Sequence, residues 1–207
     1  CVYEGPSDTL SSCGNVSSAL DEDVNTSFGA TYDFGNGFTA SIGYEGQGDS
    51  TAGLATKQGL DAYAGQLSYA TDTYGVSITG ARIETSETED DTFTALNAFF
   101  SPEEGGIPSI SVGYEWGVDG SAASTDEKTS SYFVGLQWDE LGEGVFGIAA
   151  GTHTPKIENG NQLMMYEAYY SYPINDGMTV TPLIYTKDMA TGTDDQTGIM
   201  VKTSFSF

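Results

Sequence analysis

The chain has 207 residues, thirty of them acidic against six basic, and a formal charge of −24. That balance excludes a nucleic-acid binder, which needs cations to displace counterions from phosphate, and it favours a cationic partner or permeant. No stretch approaches the roughly 18 consecutive apolar residues of a membrane helix and no charged, apolar-cored leader opens the sequence, so entry into a membrane has to be by strands.

Twenty-seven Gly, thirteen Tyr and ten Phe describe a turn-rich, all-β chain. Residues 1–23 read as a loop that closes on Asp21, Glu22 and Asp23. Cys1 and Cys13 are the only cysteines, and the Gly-, Pro- and Ser-rich stretch between them predicts a small disulfide-closed loop made in an oxidising compartment. The alternative is a lipidated Cys1 freed by signal-peptide cleavage, which leaves Cys13 without a partner. A start on Cys rather than Met points to a longer precursor or to missing upstream residues.

From Val24 the alternation begins and continues to Phe207. Phe28, Ala30, Tyr32 and Phe34 share one face; Ser27, Gly29, Thr31 and Asp33 share the other. Gly35-Asn36-Gly37 is a hairpin turn, because Asn and Gly accept positive φ. The return strand carries Phe38, Ala40, Ile42 and Tyr44 outward and Thr39, Ser41, Gly43 and Glu45 inward. After a polar connection, Tyr63, Leu67 and Tyr69 mark the next apolar side, and Thr71-Asp72-Thr73 turns it into Tyr74, Val76 and Ile78. Arg82 and Glu84 continue that apolar phase, which predicts either that they lie beyond an apolar slab or that a bulge slips the register. The acidic connection 84–91 leads to the least clean strand, where Phe93 and Phe99 oppose Leu96, Ala98 and Phe100.

A compact turn at 102–108 precedes Ile110, Val112, Tyr114 and Trp116, with Ser111, Gly113 and Glu115 on the inward side. Tyr132, Val134, Leu136 and Trp138 follow, then Phe146, Ile148 and Ala150, then Met164, Tyr166, Ala168, Tyr170 and Tyr172. Met178, Val180, Pro182 and Ile184 form the penultimate strand, in which Pro182 predicts a local break or bulge. The last segment puts Thr197, Ile199, Val201, Thr203, Phe205 and Phe207 on one face and Lys202 on the other.

This reading gives eleven strands, most of nine to twelve residues. Such lengths suit a tilted bilayer crossing, which takes about nine to eleven residues, better than a globular sheet, where about five or six is typical. Short turns alternate strictly with longer, mostly acidic connections, as in a membrane barrel with short periplasmic turns and long outer loops. Rings fall near the strand ends in two bands: Phe34, Phe38, Tyr69, Tyr74, Trp138, Tyr172 and Phe207 beside the short turns, and Trp116 toward the long connections. The expected fold is therefore an antiparallel transmembrane β-barrel over 24–207. Because eleven is odd, the expectation is the carboxy-terminal part of a larger barrel of roughly 16–18 strands.

The inward face is rich in Gly, Ser, Thr and Ala, punctuated by Asp33, Glu45, Gln66, Glu115, Gln137, Glu167 and Lys202, which are the candidate pore-lining residues. The carboxylates would concentrate cations and Lys202 would oppose them. Nothing points to catalysis: His153 is the sole histidine and no Ser sits in a nucleophile elbow. The acidic runs lack calcium-loop spacing, so neither a metal site nor a cofactor is expected.

With the strands placed, GIMVKTSFSF, FGNGFTASIGYEG and SISVGYEWGV resemble the barrel portion of the porins of cyanobacterial outer membranes, over most of 24–207. The resemblance implies an outer-membrane homotrimer passing small hydrophilic solutes and inorganic ions by passive diffusion. It also implies a cell-wall-binding surface-layer-homology domain ahead of the barrel. Two other readings stand beside it: a non-conducting structural or surface-receptor barrel, and a secreted soluble β-sandwich.

Overall fold

Two-residue alternation gives an extended segment one way to satisfy its backbone, which is sideways against a neighbour in matching phase. The computed structural model describes residues 26–46, 53–56, 58–103, 106–120, 127–152, 156–158, 160–189 and 193–206. Its strands in chain order are β1 (Thr26–Gly35), β2 (Phe38–Gly46), β3 (Ala62–Ala70), β4 (Tyr74–Glu84), β5 (Asp90–Phe100), β6 (Ser109–Asp119), β7 (Glu127–Leu141), β8 (Gly144–Thr152), β9 (Lys156–Ile157), β10 (Met164–Asn175), β11 (Met178–Lys187) and β12 (Gln196–Phe205). They make one sheet, antiparallel throughout and ordered as the chain is, with the two-residue β9 set against β7 off the main path. The edge strands β1 and β12 run in the same sense and each has one neighbour. The eleven long strands fall where the alternation puts them; β9 lies in a stretch read as plain connection.

The short turns fold for local reasons. Gly35, Asn36 and Gly37 all take positive φ, at 77°, 54° and 86°, and Asp33 Oδ1 accepts the Gly35 N–H at 2.7 Å. In the next short turn the Thr71 hydroxyl accepts the Tyr74 N–H at 3.1 Å. Register slips occur at three such turns, between Asp33 and Gly35, Trp138 and Leu141, and Pro173 and Asn175.

Two expectations resolve differently from one another. The bulge offered for Arg82 and Glu84 is absent: β4 and β5 pair without interruption from Tyr74↔Phe100 to Glu84↔Asp90, so both residues simply stand at the long-connection end. Pro182 causes a break without a bulge. Its pairing with β12 continues through Pro182↔Val201, whereas pairing with β10 lapses after Tyr169↔Leu183 and resumes in the same register at Tyr172↔Val180. A residue with no N–H drops a rung and leaves the strand in place.

The faces are inverted relative to a soluble protein. Outward-phase apolar side chains stand open, Phe28 at 64 %, Ile199 at 79 % and Val201 and Phe205 both at 61 %. Among the described residues no second sheet covers them. Inward, even small residues such as Ala81, Ala95 and Ser111 are buried, as on the concave side of a curved sheet. Phe93 and Phe99, out of phase with the rest of β5, take this inward side.

A packed cluster of Phe133, Ala149, Met165, Tyr169 and Leu183, with Tyr185 against it, runs across the inward side of β7 to β11. Its rings lie flat because the neighbouring strand offers glycine beneath them: Phe133 over Gly113, Tyr169 over Gly147 and Tyr185 over Gly198, where a Cβ would collide with the ring. Replacing Gly147 with Val is expected to cost about 1–3 kcal/mol through this collision. Gly80→Ala, which meets open space, leaves the urea midpoint of the refolded protein within error.

Candidate functional site

The registers lay the inward side chains out in rows that run across the strands. One row passes through Thr31, Ser41, Gln66, Thr79, Ala95, Glu115 and Ser131, from β1 to β7. Its neighbour passes through Asp33, Thr39, Ser68, Ser77, Asn97 and Gly113 before meeting Phe133. Hydroxyls and amides link along these rows: Thr31 Oγ1 and Ser41 Oγ lie 3.0 Å apart, and Gln66 Nε2 donates to Thr79 Oγ1 at 2.9 Å. Beyond β7 the wall changes to the apolar cluster. The inner surface thus carries mainly hydroxyls and amides on β1 to β6, interrupted by Phe93 and Phe99 on β5, and the packed aromatic and aliphatic cluster on β7 to β11, with Gln137, Glu167 and Thr181 set among it.

All seven sequence-predicted inner residues fall in the inward phase, in different surroundings. Gln66 and Glu115 share one row, and Asp33 lies in the next. Asp33, Gln66 and Lys202 are exposed, whereas Glu45, Glu115 and Glu167 keep only 4 %, 3 % and 4 % of their surface. Gln137 sits in the apolar half, where its Oε1 accepts the Tyr169 hydroxyl at 2.6 Å and its Nε2 donates to Asp139 Oδ1 at 2.6 Å. Glu167 lies between Ala149 and Tyr185, and Lys202 is opposite Thr181 at the β12 edge.

The outward rings form two borders. On the short-turn side Phe38 meets Tyr69 at 4.7 Å, Tyr69 meets Tyr74 at 6.0 Å and Trp138 meets Phe146 at 5.7 Å. Phe34 and Tyr172 join this border against Tyr32 and Tyr170. On the long-connection side Trp116 packs against Tyr114 at 5.8 Å, and Tyr44 lies between Phe28 and Tyr63. Phe207, Cys1, Cys13 and His153 lie outside the described residues. Among the described residues no three of His, Cys, Asp and Glu converge as metal ligands.

Sequence reasoning missed a polar node at the long-connection end. Asp61 is fully buried; the Tyr44 hydroxyl donates to its Oδ1 at 2.7 Å and the Tyr63 hydroxyl to its Oδ2 at 3.4 Å. Its N–H donates to Glu84 Oε2 at 3.2 Å, and its carbonyl accepts the Glu84 N–H at 2.9 Å. The Ala55 N–H in turn donates to the Tyr44 hydroxyl at 2.9 Å, which ties residues 53–56 to the wall. The alternation shows Tyr44 and Glu84 in the outward phase, but no spacing in the sequence joins them to Asp61. Tyr44→Phe, which deprives the buried Asp61 of its shortest hydrogen bond, is expected to cost about 1–3 kcal/mol. Limited proteolysis then cuts within 53–61 faster, while Tyr63→Phe has the smaller effect.

No protein-family model and no curated protein matches this chain. Solved structures do. A porin is similar over 88 % of this chain and 62 % of its own, at 18 % identity and a TM-score of 0.70. An anion-selective porin from Comamonas acidovorans is similar over 87 % of this chain and 59 % of its own, at 15 % identity and a TM-score of 0.68. The chain spans about three fifths of the length of each, and over that span its antiparallel sheet has the fold of a porin barrel.

Proposed function

We propose that the chain supplies the wall of an outer-membrane diffusion pore for small hydrophilic solutes and inorganic ions, of the kind found in cyanobacterial outer membranes. The observation that carries this reading is the inversion of the sheet: outward apolar residues exposed between two ring borders, inward hydroxyl and amide rows. Lipid meets the first face and water the second. The short turns face the periplasm and the acidic connections face outside. Closure takes strands beyond the two edges β1 and β12, and the working form is a homotrimer.

Charge sets the preference of the pore. Asp33, Glu45, Glu115 and Glu167 outnumber Lys202 on the inner side, in a chain of net charge −24, so cations are favoured. The neighbour from Comamonas acidovorans is described as anion-selective, and selectivity follows side chains rather than fold. In planar bilayers the protein is expected to give stepwise conductance with a reversal potential on the cation side. Glu115→Gln lowers cation preference and Lys202→Glu raises it. Conductance indifferent to both changes would sink the assignment of the inner wall.

One observation favours a second reading. The packed cluster of Met165, Tyr169 and Leu183 on the inner side suits a filled, non-conducting barrel that serves as an anchor or surface receptor. Absence of conductance from folded, membrane-inserted protein selects it. Both readings require lipid outside, which has its own check. Val112→Arg, between the two ring borders, is expected to destabilise the folded protein in lipid by about 2–4 kcal/mol, against about 0–1 kcal/mol for Tyr74→Arg at a border. Equal costs in urea unfolding from vesicles would exclude a bilayer around this wall.

A further inference from the structure

Two hollows adjoin on the outward face of β2 to β7, and Tyr114 lines both. The first, of about 790 Å³, is lined by outward apolar residues including Leu67, Ile78, Leu96 and Val112. The registers explain it: Ala98 stands directly between Val76 and Val112 in one cross-strand row, and its missing bulk leaves the depression. The second, of about 550 Å³, lies toward the long connections and presents the hydroxyls of Thr92, Thr94 and Ser130 and the exposed Lys128–Glu158 ion pair beside the indole of Trp116. Thr94, Trp116 and Ser130 are consecutive partners in a single row, so these groups share one level on the wall. End to end the pair of hollows is an amphipathic groove, polar at the ring border and apolar toward the middle of the sheet.

The chemistry of the polar end selects its occupant. A phosphate headgroup needs a cation to neutralise it, and the two basic residues at this level already face carboxylates. Arg82 Nη2 lies 2.6 Å from Asp90 and Lys128 Nζ 3.5 Å from Glu158, in a chain of net charge −24. Three hydroxyls beside an indole face instead suit an uncharged, hydroxyl-rich ring, which hydrogen-bonds at its edge and stacks its C–H face. We propose that this groove is a binding site for a neutral glycolipid, with the sugar over Trp116 and Thr94 and an acyl chain over Ala98. The proposal rests on the lipid-facing reading of the outward wall.

The test is native mass spectrometry of the full chain, refolded in mild detergent and offered equal amounts of a monoglycosyl diacylglycerol and a phosphatidylglycerol with the same acyl chains. The glycolipid is expected to be retained about tenfold better, the factor one or two net hydrogen bonds supply. Thr94→Val, which keeps the side-chain shape, and Trp116→Ala bring its retention down toward that of the phospholipid. Ala98→Phe, which fills the apolar hollow, weakens retention of both lipids. Equal or better retention of phosphatidylglycerol, or glycolipid retention unchanged in Thr94→Val and Trp116→Ala, overturns the proposal. Folded protein that enters vesicles yet retains neither lipid overturns the groove alone, whereas protein soluble without detergent overturns the membrane reading with it.

Discussion

The fold depends on where its backbone hydrogen bonds go. Strands here are satisfied laterally, rung after rung, from Thr26↔Gly46 at one edge to Lys187↔Gln196 at the other. A hydrocarbon environment offers a backbone no partner, so lateral pairing is the condition for strands to exist there. Once it is met, side chains alone meet the surroundings, and the two-residue period sorts them into two faces with no freedom to mix. The exposure of Ile199 and Val201 and the burial of Ala95 and Glu115 are therefore consequences of one register, and a slip of one residue would exchange them all.

That sorting explains what could be read from the sequence. The outward phase was legible because its mid-sheet positions are mostly apolar and its ends carry rings, an alternation that runs from Phe28 to Phe205 and is broken in β5, where Phe93 and Phe99 take the inward side. Turns were legible for a similar reason: positive φ at Gly35-Asn36-Gly37 admits few residue types. The inward phase was less so, because it mixes Ser, Thr, Gly, charge and ring. The odd-numbered apolar residues Phe133, Met165, Tyr169 and Leu183 were visible, yet alternation cannot tell a ring that fills space from one laid flat over glycine. The Tyr44–Asp61–Glu84 node was illegible, since its members are far apart in the sequence and meet only through the folded positions of Asp61 and residues 53–56.

Pro182 and Arg82 show how far local rules bend in such a sheet. A proline within a paired strand argues for a bulge, yet β11 keeps its register because β12 holds it on the other side through every rung. Arg82 holds an outward position because it lies at the end of β4, beside Tyr63 and Asp90, where water reaches it. In each case the sheet as a whole overrides the preference of one residue, as expected where many rungs act together.

The division of the inner surface then becomes the feature from which function follows. A ring standing upright from β7 or β10 would need room of its own; over Gly113 or Gly147 it lies along the wall, packed into the buried cluster. Glycine on one strand and an aromatic on the next are thus a single device that trades side-chain volume for a smooth surface. The rows through Thr31, Ser41, Gln66 and Thr79 offer donors and acceptors at each strand spacing of about 4.8 Å. On the pore reading, a hydrated cation keeps to the β1 to β6 side, drawn by Glu115 in the same row, and the aromatic half acts as the low-dielectric wall that sharpens that carboxylate's field.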